Sequence, residues 1–260
     1  MNDKCRDSFH DMPGFWNGLK AKWYKKGLMN STFPSTVAPF ILAHCEGAKT
    51  FLDVGAGCGS LAIPIARAGK EVTALDPSKG MLAILDEDIK KEGITNLKTV
   101  LAPWKASAVE SVDVIICANV PGLLKGSVDF IKEAELAAKR KIFLIESADP
   151  QADKFYYKEL YPLVFNKPFG PKRDYIATYN ALHDMGIFAN VRIVEYDFDQ
   201  PFESMDEAVE FWKEHMCIVT AEHDKTLRDL LNKKLVEDDG GLVSKIHKKS
   251  AIIWWTPRKK

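Results

Sequence analysis

Apolar positions along the chain alternate between short continuous runs and helix-length amphipathic stretches. Thr50 to Val54 (TFLDV) has the length and content of a buried strand. Ser60 to Ala68 follows as a helix stopped by Gly69, with Pro64 near enough to its first turn to be tolerated. Glu71 to Leu75 (EVTAL) is a second strand. Lys79 to Glu92 carries apolar residues at 81, 82, 85 and 89, a helical spacing that ends at Gly93. Leu97 to Leu101 gives a third strand, and Asp113 to Ala118 (DVIICA) a fourth, apolar enough to be covered on both faces. Val128 to Ala138 is a helix and Lys141 to Ser147 (KIFLIES) a fifth strand. Asp153 to Met185 is aromatic-rich and helical, interrupted by Pro162, Pro168 and Pro171. Val191 to Phe198 is a sixth strand, Asp206 to Met216 and Asp224 to Val236 are helices, and Ser250 to Thr256 (SAIIWWT) is the final strand. Ahead of all these, Pro13 to Ala43 holds two helices.

Strands that alternate with helices pair in parallel through right-handed crossovers. The first 150 residues therefore read as a doubly wound α/β sheet. The full length of 260 residues allows one large domain or two small ones. A hydrophobic share of 46% with 28% charged residues excludes a disordered or collagen-like chain. The 36 basic and 36 acidic side chains cancel, which argues against nucleic acid as the main partner. The basic tail at Arg258, Lys259 and Lys260 reads as a solvated terminus. Cys5, Cys45, Cys58, Cys117 and Cys217 are widely spaced, with no C-x-x-C pair, a pattern of reduced thiols and not of a disulfide framework or zinc site. No signal-peptide core and no apolar run of membrane-spanning length is visible, so a cytoplasmic protein with no membrane contact is expected. His183, His215 and His223 show no metal-ligand spacing, so no metal is expected.

The chemistry concentrates at Leu52-Asp53-Val54-Gly55-Ala56-Gly57-Cys58-Gly59-Ser60, which leaves a strand and opens a helix. Glycine lets the backbone turn sharply and approach a ligand without a Cβ. Asp76 ends the next strand, where a carboxylate can accept hydrogen bonds from both hydroxyls of a ribose. A dinucleotide fingerprint is G-x-G-x-x-G. Here the third glycine comes one residue early, and Asp53 stands where a pyrophosphate would be repelled and an ammonium group welcomed.

This D-V-G-A-G-C-G turn, followed by L-D-P-S at the second strand end, resembles the class I S-adenosylmethionine (SAM)-dependent methyltransferases. The similarity covers Thr50 to Ser147 well and the last two sheet strands more loosely. It implies a mostly parallel, Rossmann-like, seven-stranded sheet whose last strand is antiparallel. It also implies a helical N-terminal lid over residues 1–45, a cofactor domain over 46–260 and a substrate-side helical insert after strand five at about 150–188. Phe15-Trp16-Asn17, Ala21 and Trp23-Tyr24 resemble the lid helix of small-molecule methyltransferases. Carried over by position, Asp53, Gly55 and Gly57 contact the methionine end of SAM, Asp76 binds the ribose, and Ser78 and Met81 border the adenine. The loop after strand three lacks the usual Asp, so backbone groups of Ala102 and Trp104 substitute for it, with the Trp104 ring as a wall. Asn119 lies near the methyl donor.

The function expected is methyl transfer to a small-molecule acceptor by direct in-line displacement. The alternatives are an RNA or protein methyltransferase and a non-catalytic SAM-fold subunit supporting a partner. Asn119-Val120-Pro121-Gly122 matches the N-P-P-Y motif of amino-group methyltransferases only at its Asn, which counts against the first alternative. Candidate acceptor-side residues are Glu146 as a base, Asn119, and Tyr157, Tyr161 and Arg173 in the insert. Trp16, Trp23 and Tyr179 extend them as an aromatic wall. The acceptor, the atom methylated and the oligomeric state are not written in the sequence.

Overall fold

The computed structural model describes residue 16 and residues 18–105, 110–120, 122–153, 155–170 and 174–258. Seven strands form one sheet: β1 (Thr50–Val54), β2 (Glu71–Asp76), β3 (Leu97–Leu101), β4 (Val112–Ala118), β5 (Ala138–Ser147), β6 (Asn190–Asp197) and β10 (His247–Trp255). Their spatial order is β3-β2-β1-β4-β5-β10-β6. β1 to β5 are parallel, and β10 runs antiparallel between β5 and β6. This is the expected seven-stranded α/β sheet. The order reverses between β1 and β4, so a crevice opens at their carboxyl ends, where ligands of open α/β sheets bind.

Side-chain alternation divides the sheet into two buried faces. Phe51, Val114, Ile116, Phe143 and Ile145 point to the first. It is covered by α2 (Phe33–Ala43), α3 (Ala62–Arg67) and α4 (Lys79–Glu92) through Val37, Ile41, Ile65 and Leu85. Leu52, Val54, Ile115, Cys117, Ile142 and Leu144 point to the second. There α5 (Val128–Ala137) supplies Phe130, Ile131 and Ala134, and α7 (Ile176–Asp184) supplies Leu182. Residues at the strand ends inherit these faces: Asp53 follows Phe51, and Glu146 follows Leu144.

A third cluster lies outside the sheet. Trp23 of α1 (Leu19–Met29), Leu160 and Val164 of α6 (Tyr157–Phe165), Phe211 and Trp212 of α8 (Met205–Met216), and Leu227 and Leu231 of α9 (Asp224–Lys234) pack together. A small antiparallel sheet, ordered β7-β9-β8, joins them: β7 (Gln200–Phe202), β8 (Val236–Asp238) and β9 (Gly241–Ser244). The sequence reading contained none of these three strands, and its helix to Val236 ends at Lys234 because the chain turns into β8. Pro162 lies inside α6 and does not interrupt it. The helix forfeits one backbone hydrogen bond there while burying Leu160 and Val164. No helix among the described residues is long and apolar enough to cross a membrane.

Candidate functional site

Where β1 ends, the chain folds against its neighbour: Gly55 and Ala56 donate their N–H groups to the Leu75 carbonyl at 2.8 and 3.1 Å. Gly55 and Gly57 hold φ of 71° and 56°, a region in which side chains are disfavoured. The two glycines differ in what surrounds them. A Cβ on Gly55 would lie 2.3 Å from Val120 Cγ2, so the loop after β4 closes directly onto it. A Cβ on Gly57 would meet nothing within 4 Å. Among the described residues no packing claims that space, and it lies over backbone at the crevice.

Asp76 underpins this turn. It is only 7% exposed, with Oδ2 accepting from Gly57 N at 2.8 Å and Oδ1 from Ser78 N at 2.7 Å. Burial raises its pKa, and the two amide hydrogen bonds oppose the rise. Each oxygen retains acceptor capacity for a further donor. Ser78 caps α4, its Oγ accepting from Met81 N at 3.2 Å and donating to the Trp16 carbonyl at 3.1 Å. The segment leading into α1 is thereby tied to the rim of the crevice. The Met81 side chain is buried in the first core cluster, so the rim there is made by backbone.

Asp53 lies deeper, at 3% exposure. The backbone N–H of Ala62, at the start of α3, is its hydrogen-bond partner. Burial, and secondarily the charge of Asp76, push its carboxyl up to about 7. Cys58, inside the turn, is raised to about 12 by burial, which leaves it an inert thiol. Ala102 donates its N–H to the Asp76 carbonyl at 3.2 Å, placing the loop after β3 beside the same crevice. The Trp104 ring stands edge-on to Phe130 with centroids 5.4 Å apart, and its Nε1 is buried without a partner. Asn119 is exposed, in a left-handed conformation with φ 56°, and donates its N–H to the Ile145 carbonyl.

The acceptor-side candidates separate. Glu146 is 6% exposed at the carboxyl end of β5. Its Oε2 accepts from Lys125 N at 3.2 Å, and its carboxyl takes a hydrogen bond from the Thr178 hydroxyl. Tyr157 and Tyr161 stand edge to face at 5.8 Å and share Phe169 at 5.1 and 4.9 Å, packed on the third cluster. Trp23 is 1% exposed inside that cluster, its Nε1 donating to Glu207 Oε1 at 2.9 Å, and so does not form a wall of any open site. Tyr179 is half-buried on α7. Arg173, Phe15, Asn17 and Pro121 lie outside the described residues. Thr178 was not legible in advance: nothing in I-A-T-Y-N marks it, and only the fold brings α7 to Glu146.

A cleft of about 430 Å³ opens beside α3 and α4, touching the turn only at Cys58, Gly59 and Ser60. It reaches neither Gly57 nor Asp76, and the Lys25–Asp88 and Arg67–Glu92 ion pairs flank it. It is therefore a groove behind the turn and not the crevice at the strand ends.

Residues 51–139 match a family model described as a methyltransferase domain. A protein of Haemophilus influenzae described only as uncharacterised is 28% identical over 213 residues, covering 80% of this chain and 76% of its own length. A ribosomal RNA small subunit methyltransferase G of Clostridium perfringens is 32% identical over 97 residues, 35% of this chain and 41% of its own. In structure the chain is similar to the magnesium protoporphyrin IX methyltransferase of Synechocystis, determined with bound SAH. The TM-score is 0.50 at 15% identity, covering 95% of this chain and 96% of that one. With the glycine turn, the reversed strand order and the antiparallel β10, the chain has the fold of this methyltransferase, and its residues 51–139 match a methyltransferase domain.

Proposed function

We propose that the chain transfers the methyl group of SAM to a small-molecule acceptor. The observation that carries the cofactor half is the cradle at Gly57: an open face over backbone, braced by a buried carboxylate that also fixes Ser78 N. These groups suit a ligand with a ribose and a cationic amino acid end. Asp76 would take the ribose hydroxyls, and Gly55, Gly57 and Asp53 would face the methionine end. Ser78, the Met81 backbone, Ala102 and Trp104 would border the base, and Asn119 would stand beside the methyl group. When bound, SAM supplies a methyl group already activated on a sulfonium. What remains for the protein is to align the acceptor in line and keep water out.

A small acceptor is supported by the balanced charge of 36 basic and 36 acidic residues. It is further supported by the helical insert that leaves the sheet at the carboxyl end of β5, beside the crevice. An RNA acceptor is favoured by short similarities to several ribosomal RNA methyltransferases, the Clostridium enzyme among them. Incubation with methyl-labelled SAM and separate metabolite, RNA and protein fractions tests the reading. Label in the metabolite fraction is expected. Label confined to RNA or protein overturns the small acceptor, and tight SAM binding with no labelled product in any fraction points to a supporting subunit.

A further inference from the structure

Among the described residues two buried side-chain polar atoms lack a hydrogen-bond partner, Trp104 Nε1 and Glu146 Oε1. Buried polar groups are normally satisfied, so each exception calls for a physical reason. Glu146 has one in its surroundings. Both donors it receives, Lys125 N and the Thr178 hydroxyl, are accounted for without Oε1. Thr178 in turn accepts from Gly126 N at 2.9 Å. One carboxyl on β5 and one hydroxyl on α7 thus grip two successive residues of the loop after β4.

That loop needs gripping. Asn119, Lys125 and Gly126 all have positive φ, at 56°, 69° and 82°. Two of the three carry side chains, a conformation that costs free energy unless the surroundings enforce it. α7 lies so close that a Cβ on Gly126 would sit 3.0 Å from the Ala177 carbonyl oxygen. Val120, the residue that closes onto Gly55, accepts through its carbonyl from Leu123 N and Leu124 N, which makes the loop a stiff turn. A contact path therefore runs from α7 through Glu146 and the 120–126 turn to the first glycine of the cofactor cradle.

We infer that Glu146 is a positioning residue which, together with Thr178, clamps the loop after β4 to β5 and α7 and so holds Val120 against the glycine turn. The inference rests on the cradle being the cofactor site. Among the described residues, the charged and titratable groups facing the carboxyl are the Lys125 ammonium from the loop, Asp174 ahead of α7 and the Cys117 thiol from β4. Lys125 is exposed and favours the ion weakly; Asp174 and burial oppose it. Burial raises the Glu146 pKa and the two donated hydrogen bonds oppose the rise; a carboxyl oxygen accepts from Lys125 N in either protonation state, so the clamp holds across pH. The same link joins α7, part of the acceptor-side insert, to the cofactor turn, so occupancy on one side is felt on the other.

The test is binding of SAH to the full chain by titration calorimetry, for wild type and the variants E146Q, E146A and T178V. The pH range is about 6 to about 9, on either side of ordinary His and amine titration. Thermal midpoints check folding. The ligand's own amine titrates equally in every variant, so the ratio to wild type isolates Glu146. E146Q keeps the acceptor for Lys125 N, so its affinity is expected to match wild type across the range. T178V, which strips the acceptor from Gly126 N without disturbing the carboxyl, is expected to weaken binding on the order of tenfold, the scale of one buried donor left unpaired. E146A should weaken it at least as much across the range. The inference is overturned if E146Q loses affinity as E146A does, or if E146A or T178V binds as wild type does. Failure of the wild-type chain to bind SAH overturns the cofactor reading, and this inference with it.

Discussion

Asp53 gives the sharpest quantitative expectation. Its carboxyl, 3% exposed and near a second buried acid, is pushed up to about 7 in the fold, against an ordinary value of 3.8. The folded state therefore holds a proton that the unfolded chain releases at any pH between those values. Stability falls as pH rises wherever the folded state binds more protons. The contribution of a neutral Asp53 is thus fully present below about pH 4 and is lost by about pH 7, with no further change above. At ~1.4 kcal/mol per pH unit, the loss is on the order of 4 kcal/mol. Asp53→Asn keeps an oxygen to accept from Ala62 N and cannot ionise. Urea denaturation of both proteins at several pH values from about 4 to about 8 follows the effect, which includes the repulsion between Asp53 and Asp76 that the variant removes. The variant is expected to gain on wild type progressively across this window. A constant stability difference would refute both the burial argument and the assignment of the titration to Asp53. Addition of SAH should shrink the difference near pH 7, because an ammonium beside Asp53 favours its ionised form.

Three further outcomes follow from the same geometry. Asp76→Ala should weaken SAH binding by roughly 1–3 kcal/mol and also lower the thermal midpoint, since it strips the partners from Gly57 N and Ser78 N; unchanged affinity by calorimetry would remove Asp76 from the ribose. Gly57→Val should abolish SAH binding at a fold cost of only about 1–2 kcal/mol for the left-handed backbone, whereas Gly55→Val, aimed into Val120, should unfold the loop as well, a contrast that circular dichroism and titration resolve. Glu207→Ala should destabilise the chain by about 1–3 kcal/mol in urea, because it orphans the buried Trp23 Nε1 and takes one of two carboxylates from Lys26.

The sheet was legible because each of its strands is local. T-F-L-D-V and E-V-T-A-L announce buried strands by content alone, and the parallel pairing of β1 with β2 follows from the helical crossover between them. The glycine turn was legible for the same reason, since its glycines, Asp53 and Asp76 lie within one βαβ unit. The third cluster was not, because it joins Trp23 to Phe155, Phe211 and Trp212 across most of the chain. Aromatics at Tyr157 and Tyr161 have the same helical spacing whether they face a ligand or each other, and here they face each other and Phe169. The strands β7, β8 and β9 are three or four residues long, too short for an alternation to register. Thr178 became meaningful only once α7 lay against β5.

Three buried acids at the carboxyl ends of neighbouring elements, Asp53 on β1, Asp76 on β2 and Glu146 on β5, all have raised pKa values with burial as the leading cause. Each costs the empty fold stability, and none is matched by a buried cation, since their recorded partners are backbone amides and one hydroxyl. Core packing would have replaced them with apolar residues, as it has at Val54, Leu75 and Ile145 beside them. For Asp53 and Asp76 the proposed cofactor would supply what they lack, namely hydroxyl donors and positive charge, whereas Glu146 is accounted for by its grip on the loop after β4. A pyrophosphate at the same turn would meet two carboxyls within one βαβ unit, and its binding would be opposed most strongly at the pH where Asp53 ionises. A ligand with a ribose, an ammonium and a sulfonium meets donors' acceptors at one end and counter-charge at the other. The electrostatics of the crevice therefore disfavour a dinucleotide independently of glycine spacing; with the proposed ammonium beside Asp53, affinity for SAM is expected to rise as pH passes through about 7, an outcome that calorimetry at several pH values checks.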